Sequence, residues 1–284
     1  MRSATARLGS VLAAPLLAAA VAASDGTPPP DAVWGDGARE FSIATGSPGE
    51  TGLLERLATE FAARNDATVH WYRAGSGKAL EMLKRGDVDM VLAHAPDAEQ
   101  DAVAAGWATG RALIGSNEFW IVGPTSDPAG IANAASATEA MRRIADTGSK
   151  FVSRGDRSGT HQRELALWER AEIDPEGDWY LVTNEMMTAS LERADRERAY
   201  FLTDSSTFIV ERADLEYLVP LYRGDPVLAN PYHTLYPKKA TPGQGVAREF
   251  GEFLLSKRGQ ELMRKYGRGR YGEPLYRDAA SSMH

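Results

Sequence analysis

The 284-residue chain has no cysteine at all, which excludes disulfides, thiolate metal sites and a lipid-modified N-terminal cysteine. It also lacks excess positive charge: 32 Lys and Arg against 39 Asp and Glu give a net charge of −7. A broad cationic face for nucleic acid is thereby excluded, and any anion must be held by local geometry. Histidine is scarce, and the five residues at positions 70, 94, 161, 233 and 284 show no metal-ligand spacing; neither metal nor cofactor is expected. No self-similar period of roughly 20 to 50 residues is visible, which argues against a solenoid.

Long hydrophobic runs are missing except near the start. Arg2 and Arg7 precede an apolar run from Val11 to Ala20 and the small residues Ala22 and Ala23, the pattern of a cleavable secretory signal peptide over residues 1–23. The run falls short of the roughly 20 residues a membrane span needs. Cleavage takes the net charge from −7 to about −9, because the removed residues carry two arginines and no acid. Residues 24–38, which contain "DGTPPPDAVWGDG", read as a flexible leader. The expectation is a soluble exported protein of the periplasm.

What remains is 43% hydrophobic and 25% charged over the whole chain, enough for a substantial core in one large domain or two lobes. From Phe41 one pattern recurs: a short apolar run, a Gly/Ser/Thr turn, then an amphipathic helix. "FSIA" leads through "TGSPGETG" into "LLERLATEFAARN", where Leu53, Leu54, Leu57 and Phe61 fall at helical spacing. "TVHWY", "KFVSR" and "AYFLTD" open three similar units. Strands alternating with helices predict an α/β protein with parallel sheet covered on both faces. Two stretches differ, "FWIVGPTSDPAGI" (119–131) and "LVPLYRGDPVLANPYHTLYP" (218–237), apolar but studded with Pro and Gly. They read as crossovers between two lobes, residues 39–121 with 223–284 and residues 122–222.

In each unit the polar residues stand at the carboxyl end of a strand and the amino end of a helix. Helix N-termini carry unsatisfied N–H groups and partial positive charge, and glycine lets the backbone approach a ligand. The candidates are Thr45, Ser47 and Thr51 in the first turn, Ser76 and Gly77 in the second, Arg154, Ser158 and Thr160 in the third, and Ser205, Ser206 and Thr207 in the fourth. Any single turn is equally an ordinary helix cap. Four together, with an arginine in one, point to an anion held by hydroxyls, amides and one guanidinium.

Catalytic patterns fail residue by residue. "AGSGKA" (74–79) lacks the first glycine of a phosphate loop, where Tyr72 stands, and has Ala79 where Ser or Thr would bind magnesium. There is no G-x-S-x-G elbow, and no carboxylate is placed by sequence to orient His161. No enzyme activity is expected. The different-class alternative is an exported hydrolase using Ser158 or Ser206 with His161.

"KFVSRGDRSGTHQRELALW" resembles the signature segment of the periplasmic tungstate-binding proteins of ABC transporters, and the similarity runs over most of residues 41–275. "SIATGSPGETGLL" is similar to that family's first Thr/Ser-rich loop, "AGSGKALEMLKRGDVDMVLAHAP" to its second and "AYFLTDSSTFI" to its last. "GSNEFWIVGPTSDPAGI" matches the crossover and "FGEFLLSKRGQELMRKYG" the closing helix. The resemblance implies a two-lobed periplasmic binding protein of type II, a Venus-flytrap with mixed, mainly parallel sheets and two crossovers. It implies capture of tungstate or molybdate in the interlobe cleft and delivery to a membrane permease; the protein is expected to be a monomer. The family's ligand-holding residues carry over onto Thr45, Ser47, Ser76, Arg154 and Thr160. The chain departs from the pattern with Gly46 and Pro48 in place of first-loop threonines, with Met186 and Met187 in place of glycines, and with no arginine after the aspartate of "TDSST". Alternative readings are a binding protein for another oxyanion or a small carboxylate, and a ligand-sensing relative on the same scaffold.

Overall fold

A computed structural model describes residues 28–282. The stretch read as a signal peptide lies outside the described residues. Ala32–Trp34 forms a short strand, β1. Next, β2 (Arg39–Thr45) leads through α1 (Ser47–Glu50) and α2 (Leu53–Asn65) to β3 (Ala67–Arg73), which leads through α3 (Ser76–Arg85) to β4 (Met90–Ala93). α4 (Pro96–Ala104) feeds the long β5 (Ala108–Pro124). The middle of the chain comprises α5 (Ala137–Asp146), β6 (Phe151–Ser153), α6 (Gly159–Arg170), β7 (Tyr180–Val182), α7 (Met187–Glu197), β8 (Tyr200–Asp204) and α8 (Ser205–Glu211). It returns by β9 (Leu218–Tyr222) and β10 (Ala229–Pro237) to α9 (Gln244–Leu255), α10 (Lys257–Lys265) and β11 (Arg277–Asp278).

The expected units form for the expected local reasons. In α2, Leu53, Leu54, Leu57, Ala58, Phe61 and Ala62 make one buried stripe, and the helix starts after Gly52 at φ 83°, a left-handed conformation that glycine adopts without cost. Residues 43–45 of β2 and all of β4 and β6 are buried, because helices cover both faces of the sheet. On one face Phe41, Phe61 and Phe250 pack with ring centroids 5.2 to 6.2 Å apart; on the other lie Leu80, Leu83 and Val91.

β2 runs parallel to β3 and β4, and β6 parallel to β7 and β8. The crossovers and edges add antiparallel pairs, so the sheet is mixed. β5 is the seam: through Glu118 it pairs with β10 and β11, and from Phe119 onward with β8 and β9. The chain therefore changes sheet within a single strand. In the second lobe Phe151 packs edge-on against Trp168 at 5.1 Å.

One expectation is corrected. Residues 32–34 of the stretch read as flexible leader are ordered, paired antiparallel with β3, and Trp34 stacks on Trp71 at 5.8 Å. Burying an indole face against a second indole outweighs the chain-breaking composition around it. No described helix is long and apolar enough to cross a membrane.

Candidate functional site

Each of the four strand-to-helix turns places polar groups differently. At the first, Thr45 ends β2; its carbonyl accepts from Trp71 Nε1 at 2.9 Å and from Ala74 N at 3.2 Å, which ties the first turn to the second. At the second, Ser76 begins α3 and its Oγ accepts from His94 N at 3.0 Å. At the third, Ser158 caps α6, accepting from His161 N at 3.3 Å, while Arg154 lies almost wholly buried at the end of β6. Gly155 sits at φ 66°, and a Cβ there would meet Val182 Cγ1 at 2.4 Å, so glycine is required for the turn to close. At the fourth, Asp204 caps α8, accepting from Thr207 N at 2.9 Å.

These turns converge. Ser47 Oγ donates to Asp204 Oδ2 at 2.5 Å, joining the first turn to the fourth across 157 residues of sequence. A Cβ on Gly75 would lie 2.9 Å from Ser158 Cβ, and one on Gly77 would lie 2.5 Å from the Arg157 carbonyl oxygen, so the second turn abuts the third. Gly159 faces the His94 carbonyl oxygen equally closely, at 2.5 Å from its would-be Cβ. Arg157 also pairs with Glu81 at 3.3 Å. Thr45, Ser47, Thr51, Ser76, Gly77, Arg154, Ser158 and Thr160, singled out from the sequence, stand in or beside the first three of these turns, which the contacts above bring together.

A hydroxyl has one proton, so the question is who holds it. Ser47 gives its proton to Asp204, and Thr51 gives its proton to the Ser47 carbonyl at 2.7 Å. Ser206 gives its proton to Asp204 Oδ1 at 2.5 Å. Ser76 and Ser158 only accept, and keep a proton to donate. Thr45, Thr160 and Thr207 have buried Oγ1 atoms with no hydrogen-bond partner among the described residues. Burying a hydroxyl unpaired costs about 1 to 3 kcal/mol, so three in these turns are expensive unless something else meets them.

Arg154 donates through Nε to the Glu185 carbonyl at 3.3 Å, and Nη2 reaches Asp156 and Met186 Sδ. Asp156 in turn accepts from Ser158 N at 3.0 Å, so the guanidinium and the α6 cap are locked in one arrangement. Nη1 has no partner among the described residues. Nearby, burial is the main influence on Glu50 and pushes its carboxyl upward, against the pull of Arg154 and Arg73. A cavity of about 770 Å³ lies between Pro28, Asp31, Tyr72, Lys78 and Asp87 on one side and Met186, which touches Arg154, on the other.

Sequence reasoning missed the groups behind this surface. His94, whose imidazole burial holds below its ordinary range, contacts Asn230 Oδ1 through Nδ1 at 2.9 Å. Asn230 Nδ2 donates to Asn117 Oδ1 at 2.6 Å, and Asn117 Nδ2 to Asp204 Oδ1 at 3.3 Å. Because a carboxylate only accepts, Asp204 sets the direction of the whole chain, and His94 Nδ1 is its donor end. The available signal was slight: Asn230 within the second Pro- and Gly-studded stretch and Asn117 two residues before the first. Thr207 was a fourth-turn candidate that belongs with Thr45 and Thr160.

The hydrolase constellation is not assembled. The Ser158 hydroxyl meets the backbone of His161 rather than its ring, whose Nδ1 accepts from Arg157 N at 3.0 Å, and Ser206 is spent on Asp204. No group of three or more His, Asp or Glu residues that could hold a metal occurs among the described residues.

Comparison with known proteins gives the family. The family described as "PBP superfamily domain" matches residues 19–258. The tungstate-binding protein TupA of Peptoclostridium acidaminophilum is 35% identical over 238 residues, which cover 82% of this chain and 82% of that one. The structure of the tungstate ABC transporter from Geobacter sulfurreducens is 35% identical, with a TM-score of 0.74, covering 81% of this chain and 100% of that one. Tungstate-binding protein TupA from Desulfovibrio alaskensis G20 is 32% identical with a TM-score of 0.69, covering 85% and 99%. The chain is a two-lobed α/β protein of the PBP superfamily and belongs to the family of ABC-transporter binding proteins that these TupA relatives represent.

Proposed function

We propose that this protein is the exported solute-binding component of an ABC importer, that it captures tungstate or molybdate between its lobes, and that it hands the anion to a membrane permease. The observation that carries the reading is the pair of buried, unpartnered hydroxyls in the converging turns, Thr45 at the end of β2 and Thr160 in the first turn of α6. A tetrahedral dianion is acceptor-only and matches donors that add little charge of their own. The proposed ligand set is Thr45, Ser76, Arg154, Ser158 and Thr160, with Gly77 admitting the close approach. Ser47 and Thr51 act through the protein around it, because their protons are already engaged. The lobe assignment, residues 39–121 with 223–284 against 122–222, and the signal peptide over 1–23 belong to the same proposal, as does a monomeric binding protein without enzyme activity.

Magnitudes allow tight binding. About six charge-assisted bonds at roughly 1.5 to 3 kcal/mol each amount to about 9 to 18 kcal/mol before costs. After ordering and desolvation, affinity between about micromolar and nanomolar remains, equivalent to about 8 to 12 kcal/mol. The test is calorimetric titration of the mature protein and Arg154→Ala with tungstate, molybdate, sulfate and phosphate. Tight binding of the first two, lost by about a hundredfold in Arg154→Ala, is expected from losing one charge-assisted contact through the free Nη1. Preference for sulfate or phosphate, or equal affinity in the variant, would count against the proposal.

A further inference from the structure

Asp204 poses a problem in this cleft. Its side chain is completely buried, it can only accept hydrogen bonds, and it has no cation within ion-pair distance among the described residues. A carboxylate cannot bind an anion and repels one nearby, so its presence there calls for a different role. Its four donors show what that role is. Ser206 Oγ and Thr207 N come from its own turn, whereas Ser47 Oγ comes from the opposite lobe and Asn117 Nδ2 from the seam strand β5. Through Asn117 and Asn230 the chain continues to His94, whose backbone N–H holds Ser76 Oγ. Beside it, Tyr276 Oη lies 3.0 Å from Ser206 Oγ of one lobe and 3.0 Å from Thr51 Oγ1 of the other; both of those hydroxyls have given their own protons away, so the single Tyr276 proton serves one of the two contacts. Burial raises the Tyr276 phenol far above its ordinary range, so the phenol keeps that proton.

We infer that Asp204 is a positioning residue that latches the first turn onto the fourth at the base of the cleft, so that it sets the angle between the lobes and the residence time of the anion without touching it. The carboxylate occupies the protein's own donors from both sides, as a permanently attached anion would. The closed arrangement is therefore partly populated before ligand arrives, and apparent affinity gains by the fraction already closed. The effect on residence time rests on the oxyanion reading above; the effect on lobe angle does not.

The chain has no native cysteine, so Glu55→Cys on α2 and Glu169→Cys on α6, both exposed, can carry spin labels, one on each lobe. Lobe-to-lobe distances are measured by pulsed electron resonance without anion in this labelled parent and with Ser47→Ala or Asp204→Asn added. Stopped-flow tryptophan fluorescence then gives tungstate association and dissociation rates. Both variants are expected to shift the anion-free distances toward longer separation, and to speed tungstate dissociation by about tenfold with little change in association, the effect of one charge-assisted hydrogen bond. An anion-free distance distribution identical to the parent's in both variants overturns the inference, since a residue that merely contacts the ligand would leave that distribution unmoved. If Asp204→Asn fails to fold, Ser47→Ala decides, because it leaves Asp204 three of its four donors. If the parent binds none of the oxyanions, the transport reading falls while the distance measurement still decides the latch.

Discussion

Replacing Thr160 by valine should raise stability and lower affinity at the same time. The Thr160 side chain is 1% exposed, in the first turn of α6, and its hydroxyl has no partner among the described residues. Exchanging that hydroxyl for a methyl of similar size removes an unsatisfied polar atom, and stability without anion should rise by about 1 kcal/mol, toward the lower end of the desolvation cost of a buried hydroxyl. With tungstate the sign reverses: the variant loses a bond to a charged ligand worth about 1.5 to 3 kcal/mol, or roughly 10- to 150-fold in dissociation constant. Urea unfolding without anion and calorimetric titration with tungstate measure the two quantities separately. A variant that is less stable, or one that binds as tightly as the parent, would refute the reasoning, since either result means that the hydroxyl serves the fold.

Two further perturbations follow from the same geometry. Gly77→Ala places a Cβ 2.5 Å from the Arg157 carbonyl oxygen of the facing turn, although Gly77 itself is helical and not left-handed. Any gain from helix propensity, up to about 1 kcal/mol, is opposed by that backbone clash, so the anion-free protein should be no more stable than the parent. Closure should fail, seen as a tungstate-independent X-ray scattering profile; normal compaction would contradict it. Glu164 gives a pH dependence. Burial pushes its carboxyl up to about 7 from 4.5, against hydrogen bonds from Tyr180 and Trp168. Below about pH 4.5 both folded and unfolded forms hold the proton; as pH rises toward 7 the unfolded chain releases it first, and stability falls by about 3 kcal/mol in total. Glu164→Gln should match the parent near pH 4 and exceed it at pH 8 in urea midpoint, and parallel pH curves would rule this out.

The local grammar was legible in the sequence because it depends on neighbours along the chain. Leu53, Leu54, Leu57 and Phe61 make a helix face by their spacing, and Gly, Ser and Thr between apolar runs mark strand-to-helix turns wherever they occur. The alternation of these units and the two Pro- and Gly-studded stretches together limited the molecule to a two-lobed α/β protein. The turns and every candidate residue within them were identifiable for the same reason. The order of residues 32–34 was not, because it rests on Trp34 meeting Trp71 on a strand that only the sheet brings alongside.

Tertiary structure alone decided what each candidate can do. Ser47 and Ser76 are both serines at a helix start, yet one has given its proton to a carboxylate 157 residues away and the other keeps its own. Nothing in the sequence distinguishes them, since a hydroxyl donates along a single direction and its partner is chosen by the packing of the lobes. For the same reason nothing in the sequence marked Asp204, Asn117 or Asn230. Their joining into one hydrogen-bonded chain requires β5, β8 and β10 to lie side by side in the folded sheet.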